Sequence, residues 1–170
     1  AFDLKNEGII SIVTSSCPFF LNANIQDQIN NDDCHNINIK RLELIESKKY
    51  ENIPIILISR FPAYIEGQND VERVRNEGNT PSIYFANDKK IPKDKLYKLV
   101  SKDLTETLCK ISKSNPTYIT YPVPEFPMNI PKAITKNAFF NRSIPITMSY
   151  ENYLKRSSKV RDVIHNSAKT

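Results

Sequence analysis

Apolar positions follow two rhythms along this chain. In KDKLYKLVSKDLTETLCKISK, Leu96, Leu99, Val100, Leu104, Leu108 and Ile111 recur every three or four residues. That spacing predicts a helix with one buried stripe. The stripe reads as core rather than a cofactor site, and Cys109 is expected on it as a small buried hydrophobe. NINIKRLELIESKKY sets Ile39, Leu42 and Ile45 at helical spacing, and SYENYLKRSSKVRDVIH predicts a third helix with Ser149 as its N-cap. The other rhythm is short and continuous. GIISIV (residues 8–13) predicts a buried strand, and PIILIS (54–59) one buried on both faces. Thr117 to Tyr121 predicts a third strand, which runs into Pro122, Pro124, Pro127 and Pro131. Proline gives no donor to a sheet ladder, so the strand stops there.

Between these elements, residues 22–36 are rich in Asn, Gln and Asp and read as a loop. Residues 60–92 form a long polar stretch with little period, the kind of loop that is functional or specific to a subfamily. Strands alternating with helices predict a parallel sheet with helices on its faces, a three-layer α/β fold in a single domain over residues 1–170. Ligands bind such sheets outside the carboxyl ends of the strands. Three segments are therefore expected to converge on one edge: TSSCP, SRFPAY and YPVPEFP.

Composition narrows the function. The net charge is +5, but the Lys and Arg are scattered among acidic residues such as Asp32, Asp33, Asp70 and Asp88. No basic cluster with interleaved aromatics is present, so nucleic acid is not an expected partner. Three glycines leave no Gly-rich phosphate loop, and no cofactor is expected. Asp32 to His35, DDCH, could ligate a metal, but two His and three Cys in the whole chain favour a polar loop beside half of a disulfide. No metal site is expected. No apolar run reaches the roughly 18 residues of a membrane span.

The ordered set TSSCPFF, a second Cys in DDC, IILISRFPAY and YPVPEFPMNIPKAI resembles one family. It is similar to the SGNH-hydrolase-like domain fused to membrane-bound acyltransferases of the O-antigen acetylase type. Where that family commonly has an Arg-Trp pair followed by Tyr, this chain has Arg60-Phe61 and Tyr64, and the later helix with Arg156 also looks like the family's. The resemblance implies a flavodoxin-like sandwich on the periplasmic face of a bacterial inner membrane. It implies an acyl donor and an envelope polysaccharide as partners, reached through the parent protein, and transfer or removal of short acyl (acetyl) esters. It also implies a serine nucleophile in a Gly-Asp-Ser turn and an Asp-x-x-His pair.

No Gly-Asp-Ser occurs in this chain, which begins at Ala1 rather than Met. The domain is accordingly expected to be truncated at both ends, inactive alone and prone to self-association through exposed apolar faces. Asp162 and His165 do have the Asp-x-x-His spacing, and are the triad candidates against the plainer reading of an exposed helix end. Ser15 and Ser16 are oxyanion-hole candidates. Arg60 could hold a substrate carboxylate, a sugar hydroxyl or a neighbouring acid, Tyr64 could stack on a sugar, and Glu125 is a weaker candidate. Cys17 and Cys34 pair most simply as a disulfide in an oxidising compartment, the other reading being two free thiols in a cytosolic protein. The alternative function is a non-catalytic α/β module that binds a glycan or a partner subunit.

Overall fold

The fold is given by a computed structural model, which describes residues 9–13, 17–26, 34–77, 79–86 and 88–169. Among the described residues, four short strands and six α-helices follow in the order β1 (Ala23–Ile25), α1 (Cys34–Ile45), β2 (Ile55–Leu57), α2 (Phe61–Ile65), α3 (Val71–Glu77), β3 (Ile83–Phe85), α4 (Lys93–Ile111), β4 (Thr117–Ile119), α5 (Ile130–Phe139) and α6 (Tyr150–Ser167). β2 and β4 pair in parallel, with Ile55 opposite Thr117 and Leu57 opposite Ile119. β1 and β3 form a second, antiparallel pair, with Ala23 opposite Phe85.

The helical periodicities hold. α4 buries Leu96, Val100, Leu104, Leu108 and Ile111 on one face. α6 lays Val160, Val163 and Ile164 against it, and Phe20, Phe61 and Ile65 complete the main core. Each such side chain contributes on the order of 1.5–3 kcal/mol through lost water contact. Ser149 caps α6 by accepting from the Asn152 amide at 3.2 Å. α1 starts two residues before its predicted run, and Asn38 joins Leu42 and Ile45 on its buried face. Cys109 is exposed, not buried. It lies one residue, or about 100° of helix, beyond Leu108 and so turns off the stripe.

The strands depart further from expectation. Ile9 to Val13 carry no strand, and Ile9 and Val13 are largely exposed. A β-branched run forms a strand only where a neighbouring edge takes up its amides, and none among the described residues does so. β1 lies instead in the segment expected to be a loop. It is held there by side chains of α4: Asp103 accepts from the Asn22 amide (3.0 Å), the Asn22 side-chain amide (2.8 Å) and the Ala23 amide (3.0 Å). Thr107 accepts from the Leu21 amide at 3.3 Å. From α1, Asn38 donates to the Pro18 and Phe20 carbonyls, both at 2.8 Å.

β2 is not covered on both faces, because Ile56 is 62% exposed and its register partner Tyr118 60%. Among the described residues the parallel sheet thus has two strands and one open face, and the observed class is α/β. The polar stretch after β2 is not a plain loop, since it folds into α2, α3 and β3. Pro131 lies in the first turn of α5 rather than extending the loop, and the N-cap Asn129 accepts from the Lys132 amide at 3.0 Å.

Cys17 and Cys34 form a disulfide, with Cα atoms 5.4 Å apart. It ties the segment leading to β1 onto the start of α1. Closing this 17-residue separation restricts the unfolded chain, so Cys17→Ser with Cys34→Ser is expected to lower stability by about 3 kcal/mol. Urea denaturation of both forms measures it; a loss below about 1 kcal/mol would contradict the assigned role.

Candidate functional site

Because β2 and β4 run parallel, their carboxyl ends lie at one edge, and both lead into irregular chain. Arg60 and Phe61 follow β2; Tyr121 and the proline loop follow β4. The proline loop is anchored through its carbonyls, which proline retains while it loses its donor. Pro122 accepts from the Tyr153 hydroxyl at 2.8 Å, and Pro127 from the Val71 amide at 3.1 Å. Glu125 accepts through its backbone from the Asn69 side chain.

The Glu125 side chain is turned inward, with only 3% exposure. A buried carboxylate must be paired, and two arginines supply the pairing. Arg156 of α6, 16% exposed, reaches Oε2 at 3.1 Å from Nη2 and also donates to the carbonyls of Pro62 (3.3 Å) and Gly67. Gly67 is suited to this place: its φ is +85°, and a Cβ there would stand 2.8 Å from the Thr80 carbonyl oxygen. Arg60 brings Nη2 to 3.5 Å from Oε1, an ion pair too long for a hydrogen bond, and Oε1 has no other partner among the described residues.

A second cluster continues along α6. Arg161 sits 4.2 Å over the Tyr121 ring and donates to the Tyr153 hydroxyl at 3.2 Å. The Tyr121 hydroxyl lies 3.3 Å from Nδ1 of His165. Asp162 and His165 both lie on exposed turns of one continuous helix, and the His165 Nδ1 faces Tyr121 rather than Asp162.

Of the residues singled out from the sequence, the structure therefore brings together Arg60 and Glu125, and sets His165 beside the start of the same proline loop. Ser15 and Ser16 lie outside the described residues, as do Asp32 and Asp33. Phe20 packs edge-to-face on Phe61 with ring centroids 5.4 Å apart, so the chain following that segment adjoins Arg60. Tyr64 is half-buried against the main core. His35 uses Nδ1 on the Leu21 carbonyl at 2.6 Å. No group of His, Cys, Asp and Glu among the described residues could hold a metal ion, and none of the described helices is long and apolar enough to cross a membrane.

Asn69, Arg161 and Tyr153 were not foreseen as parts of this edge. For Glu125 a signal existed, because a carboxylate set between Pro124 and Phe126 has no polar neighbour in sequence and, if buried, requires a cation from elsewhere.

Chemically, the edge offers an exposed guanidinium backed by a buried carboxylate, an imidazole, and tyrosine hydroxyls. The chain matches no curated protein and no solved structure. One family model does match, described as the SGNH domain fused to AT3 domains, and it spans residues 1–170. That fusion places the domain in the context of acyltransferases and of membrane proteins. With the whole length covered, the chain belongs to the family of SGNH domains fused to AT3 acyltransferase domains.

Proposed function

We propose that this domain moves short acyl groups, acetyl among them, onto or off a surface polysaccharide, at the periplasmic face of a bacterial inner membrane. The AT3 part would deliver the acyl group, and this domain would pass it to the sugar. The observation that carries the reading is the family match along the whole chain, read together with the Arg60–Glu125 edge at the carboxyl ends of β2 and β4. In the full architecture proposed, β2 and β4 are the inner strands of a flavodoxin-like parallel sheet.

On this reading a serine attacks the acyl carbonyl, and His165 takes the serine proton and returns it to the departing oxygen. Asp162 would hold the imidazolium and backbone amides at Ser15 and Ser16 the oxyanion. That requires His165 to exchange its Tyr121 contact for Asp162. The chain contains no Gly-Asp-Ser, so the nucleophile is proposed to come from a segment other than these 170 residues. Turnover of an acetylated polysaccharide by the parent protein tests it. His165→Ala is expected to lower kcat about 100-fold with KM little changed; unchanged kcat would remove His165 from the mechanism.

A second reading is a glycan- or partner-binding module without chemistry. The Tyr121 contact of His165 favours it. It predicts polysaccharide binding with no change in ester content.

A further inference from the structure

The charges around Glu125 do not balance. Two guanidiniums share one carboxylate, which leaves one positive charge uncompensated within the cluster. Elsewhere carboxylates such as Glu66 and Glu72 meet single lysines, Lys93 and Lys132. The two arginines are also unequally employed. Arg156 is largely covered, and its Nε and Nη2 donate to Glu125, Pro62 and Gly67. Arg60 is 65% exposed and turns one terminal nitrogen toward Glu125, at ion-pair rather than hydrogen-bond distance.

We propose that Arg60 is the anchor of a carboxylate-binding subsite at the carboxyl end of β2. A guanidinium has five N–H donors in a planar fork. Glu125, itself fixed by Arg156, lies 3.5 Å from one terminal nitrogen of this fork, and the 65% exposed Arg60 side chain leaves its other donors open to solvent. A planar carboxylate fits such a fork with two parallel hydrogen bonds, and it neutralises the surplus charge. An arginine serving only to neutralise Glu125 would be expected to hydrogen-bond Oε1 and be covered with it; Arg60 is neither. Resting on the acyl-transfer reading, the carboxylate belongs to an acidic sugar, a uronic acid, of the acceptor polysaccharide.

The test is titration of the parent protein at low ionic strength with glucuronate, glucose and inorganic phosphate, using wild type, Arg60→Gln and Lys110→Gln. Lys110, at the exposed end of α4, controls for the loss of one positive charge. Glucuronate is expected to bind at least about tenfold more tightly than glucose, as charge-assisted hydrogen bonds would give. Arg60→Gln should abolish that preference and Lys110→Gln should keep it. Equal binding of the two sugars overturns the proposal. So does a preference that survives Arg60→Gln, one lost equally in Lys110→Gln, or tighter binding of phosphate than of glucuronate. Ester turnover by the wild type, measured in parallel on a neutral acetyl ester, separates the failures. Turnover without glucuronate preference sinks the subsite alone, whereas absent turnover sinks the acyl-transfer reading.

Discussion

Arg156→Met is expected to destabilise the protein by roughly 3–5 kcal/mol, the cost of leaving a buried carboxylate without its partner. Glu125 keeps only 3% exposure and cannot turn to water without moving the proline loop. The substitution also strands the carbonyls of Pro62 and Gly67, which accept from the same guanidinium. Arg60 remains near Oε1, but an exposed cation at 3.5 Å offsets only a small part. Converting both partners, Arg156→Met with Glu125→Leu, is expected to recover more than half of the loss, because an apolar pair of similar volume needs no pairing. Urea denaturation of the two single variants and the double variant measures the coupling. If Arg156→Met alone costs under about 1 kcal/mol, the carboxylate is not held as described.

Asp103→Ala is expected to cost about 4 kcal/mol. The carboxylate on α4 satisfies the backbone amides of Asn22 and Ala23, and it shares the Asn22 side-chain amide with Glu106, which accepts from it at 3.2 Å. Each buried donor left unmet costs roughly 1–3 kcal/mol. β1 is expected to detach from β3, so the loss should come with fast amide exchange at Asn22 and Ala23. A pH dependence accompanies this. Burial pushes the Asp103 carboxyl up, against the pull of the Asn22 and Ala23 donors. With the folded pKa above the unfolded one, the folded state holds the proton more tightly. The group's contribution is therefore greatest below the ordinary carboxylate range and falls as pH rises through the folded value. Wild type should lose ground to Asp103→Asn across that window. A gap that widens in favour of wild type with rising pH would contradict the direction of the shift.

What could be read from the sequence follows from the range of the forces involved. α4 and α6 were legible because their stripes and the Ser149 cap lie within one helix, and each residue's burial follows from its angle around the axis. β2 and β4 were legible as apolar runs ended by Arg60 and Pro122, though not the exposure of Ile56 and Tyr118, which depends on what covers the sheet. β1 was not legible at all. Its three residues, Ala-Asn-Ile, carry no period, and the group that fixes them, Asp103, lies 80 residues away. The run from Ile9 to Val13 shows the converse, strand propensity with no edge to pair against among the described residues. At the site, Arg60 and Glu125 could be suspected singly, but their meeting through the parallel register of β2 and β4 is a property of the fold.

The proposed role of this SGNH domain is to handle acyl esters at the edge formed by Arg60 and the proline loop. Its most direct test is to incubate the parent protein with an acetylated envelope polysaccharide and follow ester content and released acetate by proton NMR. Ester is expected to be lost or transferred with wild type, and His165→Ala to slow this about 100-fold. Polysaccharide that binds while its ester content stays constant would contradict it, and would leave the domain as a binding module.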